Sequence, residues 1–219
     1  MSIADLRREY CRAGLRRKDL DTDPIVQFEA WFEQARAANA RLAREKIEDV
    51  NAMTLATADE HGRPSARIVL LKGIDQRGFL FFTNYESRKG KELSENPQAA
   101  AVFYWPDLER QVCIAGEVAR LSRAESEAYF KSRPRGSKLA TWASTQSEVI
   151  PAREVLEQKW KELETKYPGE DVPLPPYWGG YVLTPARIEF WQGRPNRLHD
   201  RFRYSRLPQK SWQLERLAP

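Results

Sequence analysis

Cysteine, histidine and methionine are scarce in this chain of 219 residues, with two of each. Cys11 and Cys113 could form at most one bridge, so no disulfide framework organises the fold. Together with His61 and His199 they lack the close ligand pairs that zinc sites use, and no metal is expected. Long apolar runs are missing too. The longest, Ala99 to Trp105, has seven residues, against the roughly 20 that a membrane-spanning helix requires. The opening stretch MSIADLRREYCRAGLRR mixes both charge signs and has no apolar core before a small-residue cleavage site. No secretory signal is read there, and cytoplasmic residence is the expectation. Neither GxGxxG nor GxxxxGK(S/T) occurs, which removes the dinucleotide fingerprint and the Walker phosphate loop. A phosphate on this protein has to be held by side chains.

What is present is a chain 41% hydrophobic and 31% charged, long enough to bury a core and not disordered in the main. Its 36 Lys and Arg exceed its 31 Asp and Glu for a net charge of +5. That balance admits nucleic acid, acidic surfaces or phosphorylated small molecules as partners and does not choose among them. The basic residues fall in short groups, Arg7-Arg8, Arg16-Arg17-Lys18 and Arg88-Lys89, most of which read as solvated surface.

Asp23-Pro24 supplies a helix cap and first position, and Ile25, Phe28, Trp31, Phe32 and Ala35 then recur at helical spacing. From Ala52 the pattern changes to strands: Met53, Leu55 and Thr57 alternate with their neighbours, Asp59 to Gly62 reads as a turn, and Arg67 to Leu71 follows. Asp75 to Gly78 turns into Phe79 to Thr83, and Ala99 to Trp105 and Gln111 to Ala119 flank Pro106-Asp107. Short links imply antiparallel pairing. Ser122 with Glu125 has capping-box spacing and opens a helix through about Ser132, stopped by Pro134. Pro151 opens another, with Leu156, Trp160, Leu163 and Tyr167 on one face. The proline-rich Val172 to Pro176 leads to a last β region at Tyr181 to Leu183, Ile188 to Trp191 and Ser211 to Leu217. The expectation is one α+β domain, residues 23–219, with an antiparallel sheet closed into a barrel.

Arginine forks bind phosphate in pairs of hydrogen bonds and stay charged at any working pH. Arg67 and Lys72 bracket four aliphatics on a predicted strand, with Arg67, Val69 and Leu71 on one face and Ile68, Leu70 and Lys72 on the other; both charges are expected at the ends of a buried strand. Ser87 is a candidate helix cap with Arg88 and Lys89 in the first turn, where cations are unfavourable unless an anion answers them. Tyr129 and Arg133 share a helix face, and Ser137 follows the Pro134 break. Trp191 to Arg201 sets an aromatic ring, three arginines and His199 in a loop between two strands. Each cluster alone also reads as surface.

Taken together, LRREY, GLRRKDL, RIVLLK, TN..SRK, ERQV, YFKSRPR.S, TQS, PPYWGGY, IEFWQG and RLHDRF closely resemble the pyridoxamine 5′-phosphate oxidase family, from about Leu6 to the end of the chain. The resemblance implies an FMN-binding split barrel with peripheral helices, a homodimer with flavin at the subunit interface, and a mobile N-terminal segment, residues 1–22. It implies that Arg67, Ile68, Val69, Leu70, Leu71, Lys72, Phe82 and Thr83 border the flavin and that Arg88 and Lys89 hold its phosphate. Gln111, Gln146, Ser147, Trp191 and Arg201 complete the cofactor site. Lys72, Tyr129, Arg133 and Ser137 hold the substrate phosphate, Arg197 and His199 lie against its ring as the catalytic pair, and Arg7 and Tyr10 close over it. The implied reaction oxidises pyridoxamine or pyridoxine 5′-phosphate to pyridoxal 5′-phosphate, with O2 reduced to H2O2. Two other readings are a split-barrel FMN oxidoreductase with another substrate, and a basic barrel that stacks nucleic-acid bases on FLFF and VFYW. The first would lack the substrate set. The second needs those aromatics exposed, whereas they are expected in the core.

Overall fold

In the computed structural model, which describes residues 2–6, 9–42, 49–209 and 211–219, Pro24 opens the first helix, α1 (Pro24–Leu42). The Asp23 carboxylate accepts from the Ile25 N–H at 2.8 Å, satisfying one of the donors a helix start leaves unpaired. Phe28, Trp31 and Ala35 are buried on its inner face. The Phe28 ring packs edge-on against Phe79 and Phe103, centroids 4.9 and 5.0 Å away.

Those two phenylalanines belong to an antiparallel sheet of nine strands: β1 (Ala52–Ala58), β2 (Pro64–Leu70), β3 (Gly73–Asp75), β4 (Gly78–Asn84), β5 (Gln98–Trp105), β6 (Arg110–Arg120), β7 (Trp178–Gln192), β8 (Asp200–Arg206) and β9 (Trp212–Leu217). The order is β2-β1-β5-β6-β7-β4-β3, with β8 and then β9 added from β7. The two ends of that path, β2 and β3, are consecutive in the chain and joined only by Leu71-Lys72. Leu71 N–H donates to Asn51 O and Lys72 N–H to Leu80 O, both at 2.8 Å, so the link bridges β1 and β4 and the sheet must curl back on itself. Covalent continuity, not a hydrogen-bonded ladder between β2 and β3, brings the ends together. β7 pairs with β4 along Trp178 to Leu183 and with β8 along Arg187 to Gln192, which splits the sheet along one edge. Its register against β6 shifts at Ala115/Gly116; a Cβ on Gly116 would meet Thr184 O at 2.0 Å, so only glycine permits this approach.

The α+β split barrel is therefore as expected, with Phe79, Phe81, Phe103 and Trp105 in the core; the other two aromatics of FLFF and VFYW depart from that expectation, Tyr104 being 49% exposed and Phe82 half-buried. No helix among the described residues is long and apolar enough to cross a membrane. Among the described residues four more α-helices flank the sheet: α2 (Arg88–Glu95), α3 (Arg123–Ser132), α4 (Arg135–Ala143) and α5 (Glu154–Lys166). Ser122 and Glu125 form the anticipated capping box.

Four local expectations need correction. Arg67 to Lys72 is not a buried strand: β2 lies at the edge of the sheet, ends at Leu70 and leaves Ile68 64% exposed. Pro134 stops α3 but also starts α4, which was not anticipated, because proline is as suited to a helix start as it is unfit for an interior. α5 begins at Glu154, three residues beyond Pro151. Trp191 to Arg201 is not all loop, since Trp191 on β7 pairs in register with Arg201 on β8.

Candidate cofactor and substrate site

Where β4 ends, the chain turns through Tyr85-Glu86 and Ser87 caps α2, its hydroxyl accepting from Gly90 N–H at 3.3 Å. A Cβ at Gly90 would meet Tyr85 O at 2.2 Å, so this tight turn needs glycine. The first turn of α2 carries Arg88 and Lys89. Lys89 is buried, and its Nζ donates only to neutral oxygens, Thr83 Oγ1 and Gln146 Oε1 at 3.0 Å and Ser87 Oγ at 3.3 Å. Burial, reinforced by the Arg67 charge, brings its pKa down to about 8. From β2, Arg67 reaches the same place: its fork donates to Leu55 O at 3.2 Å, Thr57 Oγ1 at 2.5 Å and Glu92 Oε2 at 3.3 Å, and to the Ser65 hydroxyl. Arg88 Nε donates to Glu92 Oε1 at 2.9 Å. Three cations thus surround one carboxylate, an excess of positive charge suited to a phosphate dianion.

The second cluster rests on α3 and α4. Tyr129 stacks on Phe82 at 3.9 Å between centroids and lies parallel to Trp178 at 6.2 Å. Arg133 stands 4.7 Å above the Trp178 ring and donates to Thr141 Oγ1 at 2.7 Å, so its guanidinium is held on two sides. Burial lowers its pKa, but an arginine remains cationic. Ser137 sits in the first turn of α4, and Lys72 is exposed on the link between β2 and β3.

Both clusters line one cleft of about 960 Å³, together with Ile68, Val69, Leu70, Gln146 and Ser147. Leu71 is placed otherwise: its side chain is buried in the core.

A second set of the residues singled out in the sequence lies apart from that cleft. Gln111, Trp191 and Arg201 are cross-strand neighbours on β6, β7 and β8. Tyr10 meets Trp191 and His199 edge-on at 5.5 and 5.6 Å, and Trp191 and His199 are 4.6 Å apart. Arg194 N–H donates to His199 Nδ1 at 3.1 Å, which leaves Nε2 to carry the proton of the neutral ring. Burial first, then the charges of Arg197 and Arg201, lower the His199 pKa and favour that neutral form. Arg201 is paired with both Glu189 oxygens at 2.7 and 3.1 Å. Arg197 is exposed at the hairpin tip with φ +60°, a strained backbone for a non-glycine residue. Arg7 lies outside the described residues. The sequence reading missed Glu92, Thr141 and Trp178; only the i,i+4 spacing of Arg88 and Glu92 offered a signal.

Fold and cleft together define a split barrel of the flavin-binding class. Residues 41–167 match the family model described as pyridoxamine 5′-phosphate oxidase, and residues 178–219 match that of the pyridoxine 5′-phosphate oxidase C-terminal dimerisation region. The chain belongs to the pyridoxine/pyridoxamine 5′-phosphate oxidase family. A protein of that name from Cyanothece sp. (strain PCC 7425) is 56% identical over 219 residues, spanning 100% of this chain and 99% of that one. Its counterpart from Burkholderia thailandensis is 54% identical over 220 residues, with the same coverage. Among solved structures, PhzG from Burkholderia lata, in complex with tetrahydrophenazine-1-carboxylic acid, superposes with a TM-score of 0.84 at 33% identity, covering 94% of this chain and 98% of that one. An FMN-binding protein from Nostoc punctiforme shares the fold, with a TM-score of 0.69 at 20% identity over 88% of this chain and 97% of that one.

Proposed function

We propose that this protein is an FMN-dependent oxidase that converts pyridoxamine 5′-phosphate and pyridoxine 5′-phosphate to pyridoxal 5′-phosphate, with O2 as electron acceptor and H2O2 as product. The observation that carries the reading is one cleft lined by two separate cation clusters, which suits two phosphorylated molecules. A tricyclic carboxylate in the substrate's place would present a single negative charge to the Lys72 and Arg133 cluster, where a phosphate presents up to two.

Arg67, Arg88 and Lys89 fit the FMN phosphate through charge and donor geometry. Thr83 and the 67–71 backbone suit the flavin ring, because β2 has a strand partner on one side only among the described residues. A bound flavin would supply the acceptor for two electrons from the substrate carbon and their route to O2. Lys72, Tyr129, Arg133 and Ser137 would hold the substrate phosphate. Fixing both molecules at their phosphates would restrict their relative placement, an alignment worth roughly several kcal/mol of barrier. Gln111, Trp191, Arg197, His199 and Arg201 would complete this cleft from a second copy of the chain, in keeping with the match of residues 178–219 to a dimerisation region. There Arg197 would orient the pyridine ring, and His199, neutral and with Nε2–H outward, would donate to a polar substituent.

The purified protein is expected to be yellow and to take up O2 with pyridoxamine 5′-phosphate. Pyridoxamine without the phosphate should have a kcat/KM lower by about 100-fold or more, since the second cluster's binding energy is then unused. Equal values for the two compounds, or faster oxidation of a tetrahydrophenazine carboxylic acid, would sink the assignment.

Dimerisation and cofactor binding should be linked if the site spans two copies. In sedimentation velocity, dilution is expected to release FMN as dimers dissociate, and Arg88→Ala should shift the protein toward monomer at a given concentration. A monomer saturated with flavin would contradict the shared site.

A further inference from the structure

Among the described residues Glu92 is the one carboxylate inside the first cluster, and it is 5% exposed. Its four donors come from three elements. Thr57 Oγ1 on β1 donates at 2.5 Å and Ser65 Oγ on β2 at 2.6 Å; Arg67 follows from β2 at 3.3 Å and Arg88 from its own helix at 2.9 Å. A buried ionised carboxylate is costly unless its lone pairs are used and a cation faces it, and here both conditions hold. Burial pushes the Glu92 carboxyl up, but the hydroxyls of Ser65 and Thr57 and the guanidiniums of Arg88 and Arg67 outweigh it and hold the group down to about 2. It is therefore a fixed negative charge at any working pH.

We propose that Glu92 is a positioning residue of the phosphate site: its carboxylate orients the Arg67 and Arg88 forks and supplies the negative charge against which Lys89 is held. This rests on the reading of the cluster as the FMN phosphate site. The two arginines approach opposite oxygens of Glu92, Arg67 at Oε2 and Arg88 at Oε1, so one side chain sets the separation of two forks carried on different elements. Lys89, in contrast, has only neutral partners in contact, from β4, from Ser87 and from Gln146 beyond α4. The charged groups acting on it are Arg67 from β2, which disfavours its ammonium, and Glu92 from α2, which favours it. Removing Glu92 leaves Arg67 unopposed, so Lys89 loses its proton at lower pH.

The test is the pH profile of FMN dissociation from dialysed protein, read by flavin fluorescence quenching between pH 6.5 and pH 9.5, with riboflavin as the phosphate-free probe. The parent is expected to lose FMN affinity with an alkaline midpoint near 8, following Lys89. Glu92→Gln should move that midpoint down by about one pH unit, so that beyond both midpoints its affinity, relative to its own acid plateau, is about tenfold lower than the parent's. Glu92→Asp, which keeps the charge on a shorter stem, should retain the parental midpoint while binding FMN more weakly at all pH values. Should Glu92→Gln not fold, Lys89→Arg supplies a reading independent of position 92: with a cation that does not titrate, the alkaline limb should vanish. Superimposed profiles for the parent and Glu92→Gln, a displaced midpoint in Glu92→Asp, or a limb that persists in Lys89→Arg would each overturn the role of Glu92 while leaving the FMN site intact. Equal affinity of the parent for FMN and riboflavin would overturn the phosphate site itself and the inference with it.

Discussion

Arg133→Ala is expected to lower kcat/KM for pyridoxamine 5′-phosphate by roughly 100-fold, about 3 kcal/mol for a charged fork on a phosphate, and to leave the same parameter for unphosphorylated pyridoxamine within about twofold. The guanidinium is fixed before substrate arrives, by the Trp178 face at 4.7 Å and by Thr141 Oγ1 at 2.7 Å. Little ordering cost is then left for binding. Arg133→Lys should recover only part of the loss, because an ammonium is a point charge that cannot lie flat on Trp178 and present two parallel donors to phosphate. Steady-state O2 uptake with both substrates, at saturating FMN, separates the outcomes. An equal fall for the two compounds would mean that Arg133 supports the cleft's shape and does not bind phosphate.

The hairpin arginines should part company more sharply. Arg197→Ala is expected to keep its flavin and its thermal stability while kcat/KM falls by about 2–4 kcal/mol, since a charged hydrogen bond and ring alignment go together. Its side chain is exposed at the turn, so nothing in the fold depends on it. Arg201→Ala should instead emerge from gel filtration depleted in FMN and regain turnover when FMN is added. It should also lose stability, on the order of 1–2 kcal/mol, because Glu189 keeps its charge and loses the partner at 2.7 Å; both groups keep some solvent contact, which holds the cost below that of a fully buried pair. A colourless Arg197→Ala beside a yellow, slow Arg201→Ala would reverse the two assignments.

These residues show where reading by sequence succeeds. Helix starts at Asp23-Pro24, Ser87 and Ser122 are local events, each closed by a side chain reaching a backbone donor two or three residues on, and so they are visible in a short window. The same holds for the alternating strands and for the residue types of the site. Arg88 and Lys89 at a helix start are a local conflict that a bound anion would relieve, and it is visible without any knowledge of the fold.

Position in the assembly was not visible in that way. RIVLLK reads as a buried strand because its aliphatics are continuous, yet β2 became an edge strand when the chain turned at Leu71 to join β1 to β4. Pro134 reads as a stop, and only the packing of α4 against α5 shows it to be also a start. Thr57, Ser65 and Glu92 carry no mutual signal, since 27 to 35 residues separate the carboxylate from its hydroxyl donors. The sequence by itself determined the helix caps, the antiparallel strands, the core aromatics and the kinds of side chain that can hold two phosphates. The curled sheet decided which of them meet: it gathered Arg67, Arg88, Lys89 and Glu92 in one place and set Trp191, Arg197 and His199 in another, because contact between distant segments follows from strand order and register, which no local window contains.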